Sequence, residues 1–168
     1  LRCQEIIQSL LDFSGQRNYK PQSTNLNDVI EQAWKRYSQE NEVNQKVKFV
    51  RGFDPHLPHV TVDPQQMEQA IFYLIRNAYQ AMPQGGALRI TSRMVGPEVQ
   101  VIVSDTGQGI SPEDMRHIFD PFYETNHYAY GLDLSITYAI IGRHKGKIEV
   151  ESELGQGTTF TVYLPRED

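Results

Sequence analysis

Cysteine is almost missing from this chain: Cys3 is the one thiol among 168 residues. That excludes an internal disulfide and a cysteine-built zinc site, and it leaves a cytosolic setting as the default expectation. Long apolar runs are missing as well. No stretch approaches the roughly 18 residues that cross a bilayer, and no charged-then-apolar leader precedes the first helix. A membrane segment of any parent protein is therefore expected outside these residues, with no direct membrane contact by them. Basic runs are also absent: 16 Lys and Arg lie scattered against 21 Asp and Glu, for a formal net charge of -5. Non-specific binding to nucleic acid or to an anionic membrane is disfavoured, and an anionic ligand would have to be held locally. There is no internal repeat and no low-complexity tract. With 39% hydrophobic and 22% charged residues, the composition suits one globular domain with a sizeable core and one appended element.

What is present is periodicity. Ile6, Ile7, Leu10, Leu11 and Phe13 approach helical spacing, with Gly15 at the expected stop, as in the tail of a longer helix. Residues 18–24 read as a linker. Leu26, Val29, Ile30, Ala33, Trp34 and Tyr37 trace a second amphipathic helix capped by Asn25. Residues 47–53 alternate as a strand, and the segment DPHLPHVTVDP that follows is too rich in proline for a helix interior. A third helix is predicted from about 64 to 82 on the stripe Met67, Ala70, Ile71, Leu74, Ile75, Ala78 and Met82. Gln69, Tyr73 and Asn77 recur every fourth residue along one edge of it. Two strands, about 87–94 and 98–104, then form a hairpin. A short helix near 112–118, a helix near 132–144 and closing strands at 147–152 and 158–164 complete the pattern. Such interleaving implies an α+β fold with a mixed, mostly antiparallel sheet covered on one face by helices.

The segment most informative about chemistry is DTGQGI, residues 105–110. Val99, Val101 and Val103 alternate with polar neighbours, so the strand before it ends on a carboxylate, Asp105. Gly107 and Gly109 then permit a sharp turn and the close approach of a flat ligand. A polar strand-to-helix turn, with Asp105 merely capping it, is the plainer alternative. Three features converge along the chain: an asparagine on a helix edge, this acidic glycine turn, and a later helix opened by Gly131 and followed by GQGTTF at 155–160.

Together they resemble the Bergerat-type ATPases, which include gyrase, heat-shock chaperones, mismatch-repair ATPases and sensor histidine kinases. The resemblance is strongest to the catalytic ATP-binding domain of two-component sensor histidine kinases. RCQEIIQSLLDFSGQR is similar to the second helix of their dimerisation domain, and the segment ending in IRNAYQAM to the family's N box. DTGQGI is similar to the first glycine box, IFDPFYET to the phenylalanine box, YGLDLSITYAI to the second glycine box and GQGTTFTVYLP to the last one. The resemblance implies a two-layer sandwich with about five strands. It implies a division into a dimerisation-helix remnant at 1–17, a linker at 18–24 and an ATP-binding domain at 25–168. The implied activity is transfer of the γ-phosphoryl group of ATP to a histidine of the dimerisation domain, then to a response regulator, in a homodimeric full-length protein. The runner-up is a degenerate kinase domain acting as a nucleotide-sensing or purely structural signalling module; an ATPase of the gyrase or chaperone type fits less well.

By position, Asn77 matches the family's magnesium-holding asparagine, and a neutral carbonyl oxygen suits a hard cation already bridged by phosphates. Asp105 matches the acceptor of the adenine amino group, which would reject guanine. Gly107 and Gly109 would admit ring and ribose, Thr158 would complete the adenine contacts, and Gly131 with Leu132 would open the helix whose amides face the phosphates. Thr158 read by itself is equally an ordinary strand threonine. Phe119 and Phe122 are expected to pack beneath the lid. No residue is assigned to catalysis itself: His56, His59, His117, His127 and His144 all lack the setting of a phosphoacceptor. His144 ends a helix, where a cation is favourable.

The departures from the pattern cluster. Tyr73 stands where many relatives carry a second asparagine, Asn126 where a lid lysine is common, and Ala129 and Asp133 where two glycines of the second box are common. Asp133 complements its own helix dipole, but a bare carboxylate about 4 Å from a phosphate would repel it by roughly 1 kcal/mol in water and about 4 when partly shielded. The expectation is a domain that keeps its adenine pocket and binds the γ-phosphate weakly.

Overall fold

The computed structural model describes residues 19–123 and 132–167. Four helices appear among them: α1 (Leu26–Glu40), α2 (Pro64–Gln80), α3 (Pro112–Met115) and α4 (Asp133–Arg143). Seven strands accompany them: β1 (Gln22–Thr24), β2 (Val47–Phe53), β3 (Val60–Val62), β4 (Gly86–Val95), β5 (Glu98–Asp105), β6 (Lys147–Glu153) and β7 (Gly157–Pro165). The main sheet has the order β2-β4-β5-β7-β6. Only β2 and β4 pair in parallel; the other neighbours are antiparallel. The fold is thus the expected α+β sandwich with a mixed, mostly antiparallel five-stranded sheet.

Alternation decides which face is covered. Leu88, Ile90, Val99, Val101, Val103, Phe160, Val162 and Leu164 are buried against the helices, while Arg89, Thr91, Thr159 and Thr161 between them are more exposed. Helix boundaries follow from caps. The Asn25 side chain accepts from the N–H of Asn27, as predicted. Asp63 caps α2 by accepting from the Gln65 and Gln66 amides at 3.0 and 3.2 Å, with Pro64 in the first turn, where a missing N–H does no harm.

Two sequence expectations change. Part of the expected linker is a strand: β1 pairs antiparallel with β3, so the extended, proline-flanked VTV segment forms a two-stranded ribbon. The edge expected from Gln69, Tyr73 and Asn77 also does not stay together. A step of four residues overshoots a 3.6-residue turn by about 40°, so the three diverge along the helix. Gln69 faces α1, where its Oε1 accepts from Arg36 at 2.6 Å, Tyr73 is buried, and only Asn77 remains half-open. The predicted helix of residues 1–16 lies outside the described residues.

His144 is a further correction, because it is not a cation at a helix end. It is 3% exposed; its Nδ1 donates to the Ile140 carbonyl at 2.7 Å, and its Nε2 accepts from the Asp63 N–H at 3.0 Å. Tyr19 meets the ring edge-on at 5.1 Å, and the Lys20 N–H donates to Asp63 Oδ2 at 2.9 Å. The ring therefore ties the C-terminus of α4 to the cap of α2 and to the chain entering the domain. Burial holds its pKa below the usual imidazole value, against the pull of the Ile140 carbonyl and the Asp63 charge, with Arg143 pushing further down. A pKa lower in the folded than in the unfolded chain means stability is lost as pH falls below about 6.5. In urea titrations, the stability advantage of the wild type over His144→Gln should be largest at pH 7.5 and shrink by pH 5.5; an advantage that grows on acidification contradicts a buried neutral imidazole.

Candidate functional site

The carboxyl of Asp105 sits at the end of β5, 5% exposed, opposite Thr158 across the β5–β7 ladder. Its Oδ1 accepts the Gly107 N–H at 2.8 Å. It therefore does cap its own turn, but that uses only one of about four lone-pair sites of a carboxylate. Burial pushes its pKa up to about 6, against the opposing pull of the Gly107 and Thr158 backbone N–H groups. A buried acceptor that is costly to ionise and poised near neutrality suits a ligand that brings its own donor. Thr158, also buried, shares a hydroxyl hydrogen bond of 2.8 Å with Ser152. Ser152 in turn donates to the Gly157 carbonyl at 3.0 Å and accepts the Ile110 N–H at 2.8 Å. Ser152 lacked any signal in the sequence beyond its place in a strand, because only the β6–β7 pairing brings it here.

The glycines of the turn have a reason internal to the fold. A Cβ on Gly107 would lie 2.5 Å from the Ala81 carbonyl oxygen, and one on Gly109, which has φ +75°, would strike the Glu153 carbonyl. The close approach that forbids side chains at 107 and 109 is thus made by the protein itself. The turn is clamped between the end of α2, through Gln108 N–H to the Ala81 carbonyl at 3.0 Å, and the β6–β7 turn, through Gly155 N–H to the Gln108 carbonyl at 2.8 Å.

That clamp places Asn77 close by. Its main-chain carbonyl accepts the Ala81 N–H at 3.1 Å, so it stands one helical turn, about 6 Å along the axis, before the residue on which the acidic turn rests. On its other side, Arg76 reaches Asp133, the first residue of α4: Nη2 and Nε lie 2.6 and 3.1 Å from Oδ2. The aspartate is 3% exposed and the arginine 18%. Asp133 is therefore not the bare carboxylate on which the expected phosphate repulsion was built. The side chain of Leu132 is fully buried, which leaves its backbone as its contribution to any ligand. Phe119 packs on Tyr138 and Phe160, with ring centroids at 5.1 and 6.5 Å. Phe122 is instead exposed with φ 66°, so only one of the two rings packs on the core; the lid they were to support lies outside the described residues. Gly131, Ala129 and Asn126 lie outside the described residues.

Donor chemistry tests whether magnesium suits this site. No group of three or more His, Cys, Asp or Glu side chains among the described residues could hold a metal. A divalent ion would have to arrive with phosphates, with Asn77 supplying one neutral oxygen; that fits magnesium, which commonly takes few protein ligands.

A helix-covered mixed sheet with a buried carboxylate at a strand end, beside an asparagine-bearing helix, is the arrangement the sequence resemblance to the two-layer ATPases leads one to expect. Residues 62–168 match the family described as histidine kinase-, DNA gyrase B-, and HSP90-like ATPase, and the chain belongs to that family. Within it, the similarity is to the catalytic ATP-binding domain of sensor histidine kinases. The sensor histidine kinase ZraS of Escherichia coli (strain K12) is 31% identical over 165 residues, 98% of this chain and 35% of the relative. The chain thus spans about a third of the length of that relative. The catalytic domain of histidine kinase ThkA superposes with a TM-score of 0.77 at 29% identity, covering 88% of this chain and 96% of that one. ThkA in complex with its response regulator TrrA gives 0.81 at 28% identity, covering 99% and 48%. No helix among the described residues is long and apolar enough to cross a membrane.

Proposed function

We propose that residues 25–168 bind magnesium-ATP and position its γ-phosphoryl group for transfer to a histidine on a dimerisation helix, as the catalytic domain of a sensor histidine kinase. The observation that carries this is the buried Asp105 carboxylate held by the Gly107 N–H, one clamped turn away from Asn77. Asp105 accepts the adenine amino group, Thr158 completes the contact from the facing strand, and the turn bearing Gly107 and Gly109 flanks the ring. Asn77 offers the metal its side-chain oxygen, and Gly131 and Leu132 offer backbone N–H groups at the head of α4. Magnesium supplies charge neutralisation on the phosphates; the chain's own contribution is positioning. Residues 1–17 belong to the second dimerisation helix, with Ile6, Leu10, Leu11 and Phe13 buried in a bundle with a second copy. The phosphoryl group then passes to a response regulator receiver domain, a partnership supported by the complex of ThkA with TrrA. The reading as a degenerate signalling module rests on the altered lid residues; of these, the Asp133 charge is met by Arg76, while Asn126 and Ala129 lie outside the described residues.

Calorimetric titration with ATP, with and without magnesium, tests the assignment. The wild type should bind in the micromolar range with magnesium, and Asn77→Ala should lose more than about tenfold in affinity, or 1.4 kcal/mol, together with most of its magnesium dependence. Absence of binding by the wild type would transfer the case to the signalling-module reading.

A further inference from the structure

Among the described ion pairs, Arg76–Asp133 has the most buried carboxylate; the pairs Arg36–Glu40, Arg51–Glu31 and Lys147–Glu149 lie at the surface. A buried ion pair is a poor device for stability alone, since apolar side chains of similar volume usually serve as well. Its position suggests a different role. Arg76 immediately precedes Asn77, and Asp133 opens α4, whose capping residue Leu132 supplies no side-chain hydrogen bond. The positive end of the α4 dipole, worth roughly half a charge, the guanidinium and the carboxylate therefore share one end of the α2–α4 interface. The guanidinium also lies 5.2 Å from the Tyr73 ring centroid, which holds it from beneath by cation–π attraction.

We propose that Arg76 is a specificity-determining residue for the nucleotide's terminal phosphate, and that Asp133 is the counter-charge restraining it. With both present, the charges cancel and roughly the helix dipole alone faces the phosphates. Arg76 supplies fixed positive charge on the helix that carries the metal-binding asparagine, and Asp133 sets how much of that charge the γ-phosphate feels. Affinity is thereby tempered rather than abolished, and ATP is favoured over ADP by less than an unrestrained arginine would allow. This rests on the nucleotide-binding reading above.

The test is calorimetry with magnesium-ATP and magnesium-ADP on the wild type, Asp133→Asn and the double variant Arg76→Gln with Asp133→Asn, alongside thermal unfolding of each. Asp133→Asn preserves shape and leaves Arg76 an oxygen to bond, so it should fold; the ATP-to-ADP affinity ratio should rise by about tenfold, the effect of one unit charge a few ångströms away in a largely water-screened site. The double variant should return that ratio towards the wild-type value. A purely structural clamp would lower stability without moving the ratio. An unchanged or reduced ratio in a folded Asp133→Asn that binds nucleotide overturns the proposal. Failure of every variant, wild type included, to bind either nucleotide overturns the nucleotide-binding reading itself, whereas a folded wild type that binds neither nucleotide beside an Asp133→Asn that does overturns the claim that affinity is only tempered.

Discussion

Asp105→Asn is expected to make this domain more stable and, at the same time, unable to bind ATP. Burial lifts the Asp105 pKa from 3.8 to about 6, and at 1.36 kcal/mol per unit the ionised form costs the fold about 3 kcal/mol. Asparagine has the same shape and keeps an oxygen for the Gly107 N–H, but it carries no charge to desolvate. Its gain at pH 7.5 should reach about 2–3 kcal/mol, an upward shift of the unfolding temperature of roughly 5–10 °C for a domain of this size. The sign follows from linkage. The folded pKa lies above the unfolded one, so the wild type's deficit is absent below pH 4, appears as pH rises towards 6, and is complete above it. Binding should move the other way, because adenine's amino group needs the acceptor that the ionised carboxylate provides. Wild-type affinity for ATP should accordingly fall as pH drops through 6, when the carboxyl becomes a donor. A destabilised Asp105→Asn would show that the carboxylate is a structural capping group and nothing more.

The second large effect is expected at Gly157, where the last glycine segment meets the acidic turn. Its φ is +124°, and an added Cβ would collide with the Asp105 carbonyl oxygen and crowd Thr106. Backbone, not a flexible side chain, occupies that space, so Gly157→Ala must either part β5 from β7 or distort the residue that carries the carboxylate. Strain of about 1–3 kcal/mol from the backbone conformation adds to an overpacking cost of similar size. A loss of roughly 3–5 kcal/mol, a large share of the stability of a typical domain, is expected in denaturant unfolding. Gly155→Ala supplies the contrast: its φ is +79° but open space surrounds its Cβ position, so only the backbone term remains. Equal losses in the two variants would mean that the contact with Asp105 is not what requires glycine at 157.

Much of the site could be read from the chain because its parts are local. A carboxylate ending an alternating strand and followed by two glycines is a contiguous signal, and Asp105 has its turn-closing bond two residues away at Gly107. The helix carrying Asn77 announces itself by its own stripe and by Asp63 and Pro64 at its start. His144 departs from its sequence expectation because a helix terminus favours a cation only when solvent surrounds it, and burial at the Asp63 cap reverses that preference. The sequence reads Gly107 and Gly109 as room for a ligand, whereas the atoms that approach their Cβ positions are carbonyls of Ala81 and Glu153, well separated from them along the chain.

What the sequence by itself determined was the main helices and the strands of the five-stranded sheet, its covered face and the family to which the domain belongs. These depend on period, capping and short motifs, all carried by neighbouring residues. Only the tertiary structure decided that β2 runs parallel to β4, that residues 22–24 form a ribbon with β3, and that Arg76 meets Asp133 across 57 positions of sequence. Charge neutralisation, desolvation and steric exclusion depend on which groups lie within a few ångströms. For residues far apart in sequence, folding alone sets that distance, so the electrostatic character of the phosphate end of the site was not legible in the order of its residues.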